Sequence, residues 1–518
     1  MESESKMTDE SKMTDEIKKT EECIRGAQEL REKFQKDPQR PAYHFTPPWA
    51  WMNDVNGPLF WKGRYHVFYQ HKPNGAYRKL VESEPARMRW GHASSADLVH
   101  WTHHPIALTP TPGGPDSGGC NSGGVVVNNG VATFIYWADP GGLCLATSDD
   151  PELIRWTKHP ANPVMPNPEP DAPYRVHDPC AWKHGDLWYT LCGSRDPDGR
   201  DVAYLFKSQD LIHWEYLHPF YDSNPRWIED GEDCAVPDFF PLGDKHMLLF
   251  CSHLTGTQYY LGRYEDDRFY LEQHARMSWP GGLLGGGFTM LDEKGRRIFL
   301  DWIREARTPE AERASGWSGV MTLPRILSLA EDGSLAIEPV PEVEVLRLNH
   351  RRHENIRLTA DSELTLDDVR GDRLELAVEV DAGDLPEFGV KVRCSPGGEE
   401  QTAIVLNPGA KTLSVEMGES SQDESIQYLY YRWAKESPDG KLTIDAQSAP
   451  FALADGESLK LRIFLDRSVL EVFANGRQCV TQRIYPTRSD SLGVVLFSRG
   501  GSVNVKSVDA WDMAATAE

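Results

Sequence analysis

The stretch SADLVHW at residues 95–101 returns as SDDPELIRW at 148–156 and as SQDLIHW at 208–214. In each copy an Asp, whose carboxylate can bond back to the nearby backbone and start a turn, leads into a strand with a Trp on its inward side. Around these turns stand β-rich runs: RYHVFYQ (64–70), VATFIYW (131–137), DLWYTLCG (186–193), HMLLFCS (246–252) and RRIFLDWI (296–303), spaced by roughly 50 to 65 residues. A repeat of that period, built of short strands, predicts a β-propeller, because one small sheet cannot bury both faces until its neighbours pack on them. Five runs predict five blades and an all-β chain.

The blades are read over residues 42–340. Before them, residues 1–41 carry SKMTDE twice in tandem and then a Lys/Glu-rich run, the composition of a solvated tail or a marginal helix. Beyond 345 the texture changes. RLELAVEV (373–380), LKLRIFLDRSVLEVFANG (459–476) and SLGVVLFS (491–498) alternate with period two and carry a hairpin signal at ANG, which predicts a β-sandwich over 345–518. The acids of LDRSVLEVF (465–473) are read there as solvated strand charges, not as catalysts. A chain of 518 residues also exceeds the size at which a single core keeps growing.

A formal net charge of −24 repels phosphate backbones and anionic bilayers, so neither nucleic acid nor a membrane surface is an expected partner, and an uncharged sugar is. No signal-length apolar segment and no uninterrupted apolar span long enough to cross a bilayer occurs, from which a cytoplasmic location is expected. The nine cysteines are scattered and show no CxxC spacing, so neither a disulfide framework nor a zinc site is signalled.

Propellers gather side chains from successive blades around one funnel, so acids at matching places can meet. WMNDVNG (51–57) sets Asp54 between two amides in a Trp-rich context. YRVHDPCAW places Asp178 ahead of the third run, with Pro179 restricting the backbone after it. WIEDGEDCAVPDFFP holds Glu229, Asp230, Glu232, Asp233 and Asp238 ahead of the fourth. Any one of these alone reads as a turn former. Together, in matching places and each beside Trp or Phe, they suit glycosyl transfer, which needs one carboxylate near the anomeric carbon and a protonated group near the leaving oxygen.

WMNDVNG, YHVFYQ, RWGHASSADLVHW, HDP, a Glu near DC and PDFFP, GWSGVMTLPR and FLDRSVLEVFANG follow one another as they do in glycoside hydrolase family 32, the invertase, fructanase and fructosyltransferase family, which the chain resembles from about 43 to 515. The resemblance implies a five-bladed propeller joined to a β-sandwich, and no metal or organic cofactor. It implies that Asp54 is the nucleophile toward a fructosyl unit, that Asp178 stabilises the transition state, and that Glu232 is the acid/base, with Asp233 and Glu229 as alternatives in the same run. Asn53, Gln70, Trp90 and Ser122 match places that line the family's fructose pocket. Departures cluster in that region: Val55 stands in place of Pro, His177 in place of Arg, and Asn121 in place of an aromatic residue. Arg175 is a candidate substitute for the missing Arg. The family writes Glu directly before Cys, whereas here Asp233 intervenes, and Ala235 and Val236 separate Cys234 from Pro237.

The expected activity is therefore a retaining β-fructofuranosidase acting on sucrose or short fructans through a covalent fructosyl-enzyme. A fructosyltransferase, including one that closes a difructose anhydride, is the alternative. A non-catalytic sugar-binding protein is the third.

Overall fold

The computed structural model describes residues 29–30, 32–73, 87–381, 386–432 and 435–516. Most of the tail expected over 1–41 lies outside the described residues. Residues 41–518 form one compact unit.

Each β-rich run from the sequence becomes the second strand of a blade. Blade 1 contains Ala50–Trp61, Arg64–Lys72, Arg89–Ser95 and Trp101–Leu108. Blade 2 runs from Gly119–Asn128 through Val131–Asp139 and Gly142–Ser148 to Thr157–Lys158, with Met165–Pro166 beside its third strand. Blade 3 spans Pro179–His184 to Glu215–Pro219, blade 4 Ala235–Leu242 to Arg268–Arg276, and blade 5 Phe288–Leu291 to Leu335–Pro339. The circle is closed by Trp317–Ser318, which pairs in parallel with Ala50 and Trp51 of blade 1.

The recurring Asp-to-Trp stretch makes the turn into the fourth strand of blades 1, 2 and 3. In blade 1 the Asp97 carboxylate accepts the N–H groups of Val99 and His100 at 3.0 and 2.8 Å, and the Trp101 indole donates to the Leu98 carbonyl at 3.1 Å. Trp156 and Trp214 make the same bond to Leu153 and Leu211 at 2.7 and 2.9 Å. All three leucines are left-handed, with φ of 65°, 54° and 68°. That conformation costs an L-residue about 1–2 kcal/mol. Leu98, Leu153 and Leu211 are buried between the blades, and burying a Leu side chain contributes about 1.5–3 kcal/mol. Hence the motif needs Leu at this place. The tryptophans, expected to point inward, are half-buried and latch the turn through their indole N–H.

Two six-stranded antiparallel sheets follow, one holding Arg347–Leu358, Val503–Met513, Arg373–Val380, Leu459–Asp466, Val469–Ala474 and Gln478–Arg483, the other assembled around Glu387–Cys394 and Gly493–Arg499. Leu374, Leu376, Val378 and Val380 are buried at every second position, as a sheet packed on one face requires. The ANG signal is a hairpin turn with Asn475 and Gly476 both left-handed.

One expectation for this region is corrected. Asp466 and Glu471 are not solvated; both are fully buried. Asp466 accepts the N–H groups of Ala42, Tyr43 and His44 at 2.7, 2.8 and 2.9 Å, and Glu471 accepts Leu323 N–H at 2.8 Å and pairs with Arg325 at 3.0 Å. His44 lies between the two acids, which hold its imidazole above its usual value against the opposing effect of burial. Replacing Glu471 with Ala leaves Arg325 as an uncompensated buried charge, so we expect a loss of about 3–5 kcal/mol, measured as a fall in the urea midpoint. Arg325→Met combined with Glu471→Leu should lose much less.

Candidate active site

The first strands of the blades slip register where site residues stand. In blade 1, Met52 pairs with His71 and Val55 with Tyr69, so Asn53 and Asp54 together face Gln70. In blade 2, Asn121 and Ser122 face Trp137 in the same way, and in blade 4 Val236 and Pro237 face Phe250. In blade 5, Gly285 donates to the Trp302 carbonyl while Phe288 pairs with Leu300, leaving Gly286 and Gly287 opposite Asp301. Blade 3 reaches a similar end differently: Asp178, with φ of 42°, precedes the strand that begins at Pro179. A bulge bends its strand and re-aims the extra side chain, and here it does so in neighbouring blades.

Asp54 is half-buried, with protein on every other side. Its Oδ2 accepts the Ser122 hydroxyl at 2.7 Å and its Oδ1 accepts Asn53 Nδ2 at 3.0 Å. Gln70 Nε2 donates to Ser122 Oγ at 3.0 Å, so an amide, a hydroxyl and the carboxylate form a chain. Gly286 is required opposite: its φ is +91°, and a Cβ there would stand 2.3 Å from Asp54 Oδ1. Burial, and then the charge of Asp178, push the Asp54 carboxyl up to about 6, while Ser122, His253 and Arg432 oppose the rise. Asp178 is also raised by burial, with His253 and the Val236 N–H, 3.4 Å from its Oδ2, acting the other way. Of the residues Ala235 and Val236, unexpected between Cys234 and Pro237, Val236 thus enters the bulge with Pro237 and delivers this N–H; it is left-handed with φ of 48°.

Glu232 does not fit the role of acid/base. Its side chain is fully buried and accepts Arg276 Nη2 at 2.6 Å, Thr255 Oγ1 at 2.7 Å, Gln258 Nε2 at 2.5 Å and the Glu229 N–H at 2.9 Å. Burial alone would raise its carboxyl, but Arg276 and these donors take it down to about 2, leaving no proton to give near neutrality. Neighbouring residues of an extended segment point to opposite sides, and Asp233 turns the other way. Its Oδ1 accepts the His253 N–H at 2.7 Å and its Oδ2 the His253 Nδ1 at 2.6 Å. The charge of Asp233 acts on Asp178, and that of His253 on both Asp54 and Asp178.

Other expected pocket residues divide. Asn53, Gln70 and Ser122 join the Asp54 chain. Trp90 is fully buried against Phe134 and Tyr136, and its indole N–H holds the Asn121 carbonyl at 2.9 Å, so it braces the blade 2 bulge from behind. Asn121 is half-buried beside Ser122. His177 sets its ring edge-on to Trp137 at 4.6 Å, and burial keeps its imidazole below the usual value. Arg175 does not replace the missing guanidinium, because it donates to the carbonyls of Pro170, Ala172 and Tyr174. Besides His253, the cation whose charge reaches Asp54 is Arg432, from the segment between sandwich strands Thr412–Glu416 and Ala446–Pro450. Arg432 N–H donates to the Leu254 carbonyl at 3.0 Å, its Nη1 reaches the Ser252 carbonyl at 3.3 Å, and its guanidinium lies 5.7 Å from the Trp302 ring. Sequence reasoning missed Arg432, His253 and Asp301, the last a buried acid raised to about 7 by its burial. For Asp301 a signal existed in its place within the fifth run; for Arg432 none did.

A five-bladed propeller with a β-sandwich behind it and carboxylates converging from separate blades defines a glycosidase. The chain belongs to glycosyl hydrolases family 32: the family's N-terminal domain pattern matches residues 44–339 and its C-terminal pattern 342–512. It is 31% identical over 478 residues to the sucrose-6-phosphate hydrolase of Escherichia coli, covering 86% of this chain and 89% of that one. It is likewise 31% identical over 502 residues to a raffinose invertase of Escherichia coli, covering 91% and 94%. Among solved structures, fructan 1-exohydrolase IIa of Cichorium intybus superposes with a TM-score of 0.80 at 25% identity, over 92% of this chain and 98% of that one.

A carboxylate that attacks a carbon must be ionised, and the Asp54 carboxyl is raised to about 6. We therefore expect kcat/KM to fall as pH drops through about 6, and Arg432→Met to move that midpoint upward by removing an opposing charge, both read from pH–rate profiles. Glu232→Gln should lower the melting temperature by leaving Arg276 without its charge partner, yet keep turnover per folded molecule within about tenfold.

Proposed function

We propose that the chain hydrolyses terminal β-fructofuranosyl bonds of sucrose or short fructans with retention of configuration. Asp54 attacks the anomeric carbon, Asp178 binds fructose hydroxyls and steadies the oxocarbenium-like transition state, and the Asp233 segment, not Glu232, supplies the acid/base. The observation that carries this reading is the pair Asp54 and Asp178: both are half-buried, both are raised by burial, and the charge of Asp178 bears on Asp54. Such a pair disfavours a second negative charge and welcomes the positive charge that develops as the leaving group departs. Relatives named for sucrose-6-phosphate, raffinose and fructan cleavage support the fructosyl specificity.

The partner of the covalent intermediate decides between hydrolysis and transfer. Fructosyl transfer stays as the second reading, with Trp279, Tyr430 and Tyr431, beside Thr255 and Arg432, as aromatic candidates to meet an acceptor sugar. The reading also retains the cytoplasmic location expected from the sequence; the eight described cysteines are free thiols, as a reducing compartment keeps them.

Incubation with sucrose, sucrose-6-phosphate, inulin and levan, followed by chromatography, should release free fructose from at least one of them. Asp54→Asn should abolish that release by about 10⁴-fold or more. Longer oligosaccharides appearing at high sucrose would establish transfer, and no fructosyl product from any donor would refute the proposed activity.

A further inference from the structure

Asp233 stands directly before Cys234, where the resemblance expects a Glu. It is one methylene shorter, and it is not free to reach outward. Both of its oxygens are engaged by one residue: the backbone N–H of His253 at 2.7 Å and its ring Nδ1 at 2.6 Å. The Asp233 side chain is 12% exposed, whereas that of His253 is 46% exposed. His253 follows the second strand of blade 4, Lys245–Ser252, and the turn beyond it is held by the Leu254 N–H donating to Ser252 Oγ at 3.1 Å. Its charge acts on Asp54 of blade 1 and on Asp178 and His177 ahead of the first strand of blade 3, so these and Asp233 are titratable groups that face it among the described residues. Of the remaining acids in the run, Glu232 is tied to Arg276, and Glu229 accepts the Tyr431 hydroxyl and pairs with Lys435 at 3.5 Å.

We propose that His253 is the proton-transferring group of the reaction, with Asp233 as the residue that aims it. This deepens the fructofuranosidase reading and rests on it. Nδ1–H donates to Asp233 Oδ2, which leaves Nε2 as the working end of the ring, and a carboxylate on one nitrogen fixes the tautomer and the orientation of the imidazole. In the first step Nε2–H gives its proton to the glycosidic oxygen as the bond from that oxygen to the fructosyl C2 breaks. An Asp54 oxygen forms the ester to C2, and the leaving sugar departs as a neutral alcohol, so the imidazole is left neutral. In the second step Nε2 takes a proton from the attacking water or sugar hydroxyl, the new C2–O bond forms, and Asp54 leaves as a carboxylate. The imidazolium is restored. A His–Asp pair thus does what a single longer carboxylic acid is expected to do, and the shorter side chain at 233 is accounted for.

The test compares His253→Gln and Asp233→Asn with the wild type on sucrose and on 4-nitrophenyl β-D-fructofuranoside, whose leaving group departs without a proton. His253→Gln should lose about 10²- to 10⁴-fold in kcat on sucrose while its fructosylation by the aryl substrate, read as a nitrophenol burst, stays within about tenfold of wild type. Imidazole added to His253→Ala should restore at least part of the lost rate. Asp233→Asn should lose less than His253→Gln and displace the alkaline limb of the pH profile, as a positioning residue does. Circular dichroism confirms that each variant is folded, and His253→Asn serves if His253→Gln is not. The inference is overturned if the His253 variants cleave sucrose within about threefold of wild type while Asp233→Asn is inactive, for then Asp233 is itself the acid. It is equally overturned if the His253 variants lose both substrates alike. A wild type inert toward every fructoside would instead remove the underlying activity, a different failure and one seen before any variant is made.

Discussion

Asp54 and Asp178 share a space in which water can screen neither fully, burial raises both carboxyls, and the charge of Asp178 makes a negative charge on Asp54 more costly still. Most of what surrounds them can be understood as an answer to that constraint. Ser122, Asn53 and the Val236 N–H offer hydrogen bonds to the two carboxylates, and His253 and Arg432 offer charge. None of these donors neutralises the site. What remains is a pair of partly buried carboxylates, a setting that favours positive charge developing beside them.

The donors come from separate blades, and the bulges explain how a regular sheet delivers them. An unbroken ladder alternates its side chains between two faces, each packed on a neighbouring blade. Two residues set against one break that alternation near the start of the first strand in blades 1, 2, 4 and 5, and blade 1 slips a second time between Asn56 and Leu59. The remainder of each first strand can then stay buried. Arg432 adds a contribution from outside the repeat, since its segment belongs to the sandwich and is pinned to blade 4 through Leu254.

How much of this could be read in the sequence depended on how local the cause was. The strand runs and the Asp-to-Trp turns were legible because period-two alternation, a capping carboxylate and an indole hydrogen bond all act within a few residues. Asp54 and Asp178 were legible because the repeat put them in matching places. The different surroundings of Glu232 and Asp233 were not. The two are adjacent and chemically alike, and what separates them is Arg276 and Gln258 on the one side and His253 on the other, residues further along the chain that nothing nearby announces. The buried acids Asp466 and Glu471 were misjudged for a similar reason: their partners are His44 and Arg325, from distant parts of the chain.

The parallel pairing of Ala50 and Trp51 with Trp317 and Ser318 has an implication for how the molecule is born. Asp54 lies only a few residues after that seam, so it is among the earliest parts of the described structure to leave the ribosome. Its strand nevertheless has no lasting neighbour on one edge until the chain has been made as far as residue 318. Contacts of such long sequence separation form late, since the loop they close is entropically costly. Asp54 is therefore among the last residues to be locked in position, and a ring that fails to close has every blade in place but leaves the strand of Asp54 bare on one edge.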